Sequence, residues 1–467
     1  MSTKEAFADY SMVPEDLKHI VLDFKQMKEF IKNPLVMVKA DGVWYEDIEG
    51  KKYLDGLAGV FTVQVGHNNP RIKESIRKQL EEIAFAPPLH GTNVPAIKLA
   101  KMISEITPGD LNTVKLLSGG SEATEAAMKL ARQYHGQTGN PKKYKVIARY
   151  WGYHGATMGA LSATGFPHRK AIFEPTMNGF VHVFPPTCYR CPFSLNYPDC
   201  GIRCATIVED VIKMEGPTTV SSMILEPIGN TGGIITPPNE YFTILREICD
   251  KYKVLLIFDE IINGFGRTGQ MFAAQTFNTI PDILVTGKSM SSGYFPLGAI
   301  TFTDRVEEAF WGGADTAFSH GHTFGGNPLA GAVGIANIKE LRERNLPGHA
   351  REMGEYLRAE LEKLKDSSSL GPIIGDIRGK GLMIGVEFVE NLETKKSFDI
   401  PFGKEVEKVL IEKGLILRCD PNWIAFAPPL IVTKEELDQM IRIFVEGVEE
   451  TLRRVKTGKV SASFDKF

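Results

Sequence analysis

Lys288 stands where an apolar run stops. Ile283-Leu284-Val285 leads into Thr286-Gly287, then the lysine, then mainly small and turn-forming residues as far as Leu297. Lysines usually decorate solvated surfaces. One placed at the end of a buried strand gives up its proton more easily, because burial disfavours the ammonium. The free amine is then a nucleophile and a proton carrier. Carboxylates occupy similar places: Glu226 follows SSMIL, and Asp259 with Glu260 follows VLLIF. Gly119-Gly120-Ser121 follows KLLS and opens the helical stretch EATEAAMKLAR. Backbone N–H groups at a helix start, together with the helix dipole, favour an anion, and Ser121 adds a hydroxyl donor. Each feature alone has a plainer use: a capping acid, a lysine reaching the surface, an ordinary βα turn.

Together they make a more specific demand. They offer a phosphate cradle, a buried carboxylate and a lysine with little cationic company. Pyridoxal 5'-phosphate needs these three things. Its aldehyde bonds to a lysine amine, its phosphate takes donors, and its ring nitrogen stays protonated only beside an anion.

The elements that must position these groups alternate along the chain. KVIARY, VHVF, SSMILEP, VLLIFDE, DILVTGK and LGAITFT read as short buried strands, separated by helical stretches such as NEYFTILREICDKYK. This predicts an α/β chain with a mostly parallel central sheet flanked by helices. In such sheets ligands gather at the carboxyl ends of the strands, where all the groups above stand. Residues 70–333 form this large cofactor-binding domain. Residues 334–467 form a smaller α+β domain, joined by the N-terminal segment 1–69. Within that segment, residues 14 to 33 are expected to be helical, and Asp41-Gly42 and Glu49-Gly50 to turn hairpins.

From about Asp41 to about residue 440 the sequence resembles the class III (ω-) aminotransferases of the fold-type I pyridoxal-phosphate enzymes, near the amine and ω-amino acid–pyruvate members. In SGGSEATEAAMKLAR the resemblance implies that Gly120 and Ser121 bind the phosphate. In RYWGYHGAT it places Tyr153, counted as catalytic, over the cofactor ring, with His154 stacking or closing the pocket. Glu226 of ILEPIGNTGG would orient the ring-binding acid or the cofactor hydroxyl region. In IFDEIINGFGRTG, Asp259 would pair the pyridinium nitrogen and Ile261 would cover the other ring face. Lys288 would carry the cofactor as a Schiff base and serve two half-reactions. Thr323 of HGHTFGGNPLA would reach the phosphate of a neighbouring subunit. That implies a homodimer with interface active sites, open to further assembly as a dimer of dimers.

The substrates follow from LILRCDPNWIAFAPPLIVT. Arg418 resembles the mobile arginine of the pyruvate-using members, whose fork binds a keto acid carboxylate and swings away for a simple amine. By the same resemblance Phe61, Leu89, Thr231 and Ile262 shape the pocket. Phe61 stands where many relatives carry tryptophan. No second arginine suited to a distal carboxylate is evident. These features point to a terminal amine or ω-amino acid as donor and pyruvate as acceptor.

The remaining sequence narrows the alternatives. The chain has 467 residues, 43% hydrophobic and 24% charged, with a net charge of -3. That balance gives no footprint for nucleic acid or an anionic membrane. No apolar run approaches the roughly 20 residues of a membrane span. The stretch MSTKEAFADYSMVPEDLKHI lacks the apolar core of a secretory signal, so a cytoplasmic enzyme is expected. Cys188, Cys191, Cys200 and Cys204 crowd one loop. Free or redox-labile thiols are the first reading and a structural zinc the second; the chemistry above needs no metal. The competing functions are an aminomutase, epimerase or decarboxylase of the same fold, or a zinc-bound interaction protein.

Overall fold

The computed structural model describes Phe7, Tyr10 and residues 12–458. Nearly half of the stretch read for a secretory signal, and the end of the expected C-terminal domain, residues 459–467, lie outside the described residues. Among those described, no helix is long and apolar enough to cross a membrane.

The first ordered strands are β1 (Met37–Asp41), β2 (Trp44–Asp47) and β3 (Lys52–Asp55), paired antiparallel through the two expected turns. The helix expected over residues 14 to 33 is not continuous. Only a 3-10 segment at Pro14–His19 and one turn at Met27–Phe30 form, and neither buries a side chain. A short charged stretch that buries no side chain in either piece has little to offset the cost of helix nucleation.

The main sheet has seven strands: β4 (Leu111–Leu117), β5 (Lys145–Arg149), β6 (Phe180–Val183), β7 (Val220–Leu225), β8 (Leu255–Asp259), β9 (Ile283–Thr286) and β10 (Gly298–Thr303). Their spatial order is β4-β10-β9-β8-β7-β5-β6. Strands β5 to β9 pair parallel, and only β10 runs against its neighbours. Every residue of β7, β8, β9 and β10 is buried, which is why these runs are apolar without alternation. Each fully buried large side chain in them, such as Phe258 or Ile257, contributes about 1.5–3 kcal/mol. Because β4 and β5 to β9 point the same way, their carboxyl ends open on one crevice.

A second four-stranded sheet follows the long helices Pro328–Glu343 and Leu346–Lys363. It contains β11 (Ile374–Gly379), β12 (Ile384–Phe388), β14 (Arg418–Asp420) and β15 (Trp423–Phe426), in the order β11-β12-β15-β14. The short strand β13 (Leu415–Ile416) pairs parallel with β3, so the N-terminal meander is stitched to the C-terminal part. The closing helix Lys434–Lys456 starts at a capping box. Glu436 accepts from the Thr433 amide at 2.8 Å, and Thr433 accepts from the Glu436 amide at 3.2 Å.

Candidate active site

Five strand ends build the site. After β4, Gly119 precedes the helix Gly120–Gln137 and offers no side-chain cap, so the first amides of that helix stay free. A side chain at Gly120 would strike Ile261: its Cβ would lie 2.8 Å from Ile261 Cδ1. Only glycine lets the backbone lie this close to the ridge that Ile261 forms after β8. Ser121 accepts from the Ala156 amide at 3.0 Å, tying the helix start to the loop after β5.

That loop delivers Tyr153 and His154. His154 is 1% exposed, and its Nδ1 donates to Asp259 Oδ2 at 2.8 Å. Asp259 is 3% exposed, and its other oxygen accepts from the Ile261 amide at 3.1 Å. His154 Nε2 is buried without a partner among the described residues. Tyr153 lies beside this pair, and burial pushes its hydroxyl pKa up. Glu226, after β7, accepts from the amides of Tyr153 at 3.1 Å and Asn230 at 3.0 Å. Burial raises its pKa, and the nearby Asp259 charge adds to that. The side chain that orients Asp259 is therefore His154, whereas Glu226 shapes the two loops around it.

Lys288 follows β9 through Gly287, with a φ of 33°. Its ammonium makes no hydrogen bond or ion pair among the described residues. Burial holds its pKa below the ordinary lysine value. Asp259 and Glu226 oppose that shift, and the Arg418 cation deepens it. The turn itself is firmly seated. Gln64 donates to Ser289 Oγ at 2.7 Å, Ser289 donates to the Phe61 carbonyl at 3.3 Å, and Asn337 donates to the Ser289 carbonyl at 2.9 Å. Behind Gln64 lies Arg267, fully buried, which donates to Gln64 and to the Leu382 and Pro428 carbonyls. Its burial lowers its pKa to about 9.

Ile261 and Ile262 are buried beneath the crevice, and Thr231 lines a cleft of about 720 Å³ beside it. Phe61 is wholly buried against the Lys288 turn. Arg418 opens β14 and is half-buried, in electrostatic reach of Lys288 and Tyr153. Two of the expected residues do not enter the site of their own chain. Leu89 is 91% exposed on the loop after the helix Pro70–Glu82, and Thr323 is exposed in a loop before the helix Pro328–Glu343. The sequence reading missed the His154–Asp259 contact, the Gln64–Arg267 support and a second cation, Arg169, which interacts with Tyr153 and Arg418. The first two join residues more than a hundred positions apart, and no local spacing announces them.

The family described as Aminotransferase class-III matches residues 27–448. The chain belongs to the class III aminotransferases. This aminotransferase is 41% identical over 444 residues to a probable aminotransferase of Mycobacterium tuberculosis, covering 94% of each chain. It is 33% identical to a putrescine–pyruvate aminotransferase of Pseudomonas aeruginosa, covering 93% of this chain and 94% of the other. Its structure superimposes on the ω-transaminase of Pseudomonas jessenii in complex with PMP, with a TM-score of 0.91, 33% identity, and coverage of 98% of this chain and 100% of that one. Enzymes of this class depend on pyridoxal phosphate. The residues present fit it: an uncapped glycine helix start, a buried carboxylate held by a histidine, and an unpaired lysine between them.

The four clustered cysteines are free thiols around one small apolar cavity with Phe193 and Tyr197. Among the described residues no group of three or more His, Cys, Asp or Glu side chains is arranged to hold a metal ion.

Proposed function

We propose that this aminotransferase moves the amino group of a terminal amine or ω-amino acid to pyruvate, with Lys288 as the covalent and proton-carrying residue. The observation that carries this reading is the unpartnered Lys288 amine at the end of β9, facing the His154–Asp259 pair. When bound, pyridoxal phosphate supplies a protonated ring that draws electrons from the substrate carbon. Asp259 Oδ1 and Oδ2 would hold a proton on the ring nitrogen, and His154 keeps that carboxylate aimed. Gly120 and Ser121 would hold the phosphate with backbone and hydroxyl donors, while Ile261 and Tyr153 would enclose the ring. Lys288 Nζ, freed by an incoming amine, would take the proton from the substrate Cα and return it on the far side of the transfer. Arg418 would bind the pyruvate carboxylate with its fork.

The exposure of Leu89 and Thr323 supports a homodimer in which each reaches the neighbouring site, one that leaves further assembly as a dimer of dimers open. The P. aeruginosa relative named for pyruvate supports the acceptor. A cytoplasmic location accords with the composition. The test is the visible spectrum of the purified protein. A terminal amine without keto acid should bleach the yellow colour, and pyruvate should restore it. Colour that persists through a broad amine panel would move the decarboxylase, epimerase and mutase readings forward.

A further inference from the structure

Arg418 and Asp420 stand two apart on β14, so both side chains leave the strand on one face. Arg418 Nε donates to Asp420 Oδ2 at 2.9 Å. The guanidinium lies 5.0 Å from the ring centre of Trp423, the residue opposite Asp420 in the β14–β15 register. The two charged side chains are only 19% and 22% exposed. Asp420 and Trp423 line the same 720 Å³ cleft as Thr231. The two terminal nitrogens of Arg418 have no acceptor among the described residues. Among the described residues Asp420 alone accepts from the fork, so a carboxylate placed elsewhere in the pocket must draw the guanidinium off it.

We propose that Asp420 is a specificity-setting residue: with Trp423 it forms the resting berth of Arg418, and a keto acid carboxylate must compete with it for the guanidinium. This rests on the reading that Arg418 binds the keto acid carboxylate. An acceptor carboxylate gains Arg418 only in the fraction of molecules where the berth is empty, so the berth weakens acceptor binding by that fraction. A donor without a carboxylate gains instead, because the berth keeps a permanent cation out of its pocket. The geometry also accounts for what happens to Asp420 when Arg418 leaves. Arg169 interacts with both Arg418 and Asp420, and its own side chain has no hydrogen bond or ion pair among the described residues. It lies over Phe24, 3.7 Å from the ring centre. Burial and the Arg418 charge hold its pKa down, and Asp420 pulls it up. Asp420 therefore keeps a cation nearby after release, and its carboxylate is not stranded.

The test is steady-state kinetics of the holoenzyme with pyruvate and 1-phenylethylamine, an amine without a carboxylate. In Asp420→Asn, the KM for pyruvate should fall about three- to tenfold, the range of a mostly buried ion pair still in reach of solvent, while the KM for the amine rises by a similar factor. Asp420→Glu, which keeps the charge, should return both values toward those of the native enzyme. In an Arg418→Ala background the Asp420→Asn change should do nothing further, since the two residues act through one contact. Movement of both KM values in the same direction, or of neither, overturns the berth. Should Asp420→Asn fail to fold, Asp420→Ser carries the same expectation and the same refutation. Arg418→Ala alone separates the two claims. An unchanged KM for pyruvate there removes the carboxylate reading itself; a raised one, with no effect of Asp420→Asn, removes only the berth.

Discussion

At the scale of single residues, the chemistry depends on charges fixed in a dry crevice. Asp259 is worth most there because His154 and the Ile261 amide hold both its oxygens in place. Asp259→Asn keeps the shape and loses the charge. The amine half-reaction should slow by at least about a hundredfold, the scale of a lost acid–base group. Single-turnover absorbance measures this; a native rate would remove the ring-nitrogen role. Gly120 is limited by space. Gly120→Ala pushes a methyl into Ile261 Cδ1, 2.8 Å away, where neither the helix start nor the buried isoleucine can retreat freely. Overpacking of this kind costs about 1–3 kcal/mol, and it falls on the ring slot. Cofactor affinity by equilibrium dialysis should drop about tenfold or more, with a smaller change in apo-protein stability.

At the scale of elements, the lysine turn is held from behind. Gln64 joins Ser289 to Arg267, and Arg267 fastens to the Leu382 and Pro428 carbonyls, at one end of the paired strands β12 and β15. Gln64→Leu removes an acceptor from a fully buried guanidinium and a donor from Ser289. The loss should be about 2–4 kcal/mol in urea unfolding, because a buried charge is left short of a partner. A stability change below about 0.5 kcal/mol would show that the contact is dispensable. Helix Gly120–Gln137 is anchored in a similar way. Its His135 donates from Nε2 to the Ser221 carbonyl of β7 at 2.9 Å, and burial lowers the histidine pKa to about 4. The folded-state value is thus below the unfolded one, near 6.5. The favourable contribution is complete above pH about 6.5 and is lost as pH falls toward about 4, a loss of roughly 2–3 kcal/mol. Chemical denaturation at stepped pH should show this slope in the native protein and a shallower one in His135→Gln.

At the scale of the whole molecule, a few large apolar side chains stay exposed on the loops that follow the helix Pro70–Glu82 and precede the helix Pro328–Glu343. Leu89, Phe85 and Phe324 are exposed, and Phe85 meets Phe324 edge-on at 6.2 Å. Solvent-facing aromatics and a 91% exposed leucine mark surface suited to a second copy. Leu89→Asp should weaken the proposed dimer and lower activity together, read by sedimentation velocity alongside amine–pyruvate turnover. Dissociation with full activity would show that each site is complete within one chain.

The sequence alone determined the order of strands and the groups at their ends. Buried parallel strands need continuous apolar runs, and a polar residue that ends such a run is visible without coordinates; Glu226, Asp259 and Lys288 were legible for that reason. The hairpins at Asp41-Gly42 and Glu49-Gly50 were legible because turn chemistry is local. Contacts between distant segments were decided only in the tertiary structure. His154 meets Asp259, Gln64 meets Ser289 and Arg169 comes near Asp420 because separate loops converge at one edge of the sheet. The helix expected at 14 to 33 fell to the same cause, since helices of that length are stabilised by what they pack against. The Arg418–Asp420 pair lies between these cases: its spacing was open to view, but which way β14 faced was fixed only by its pairing with β15.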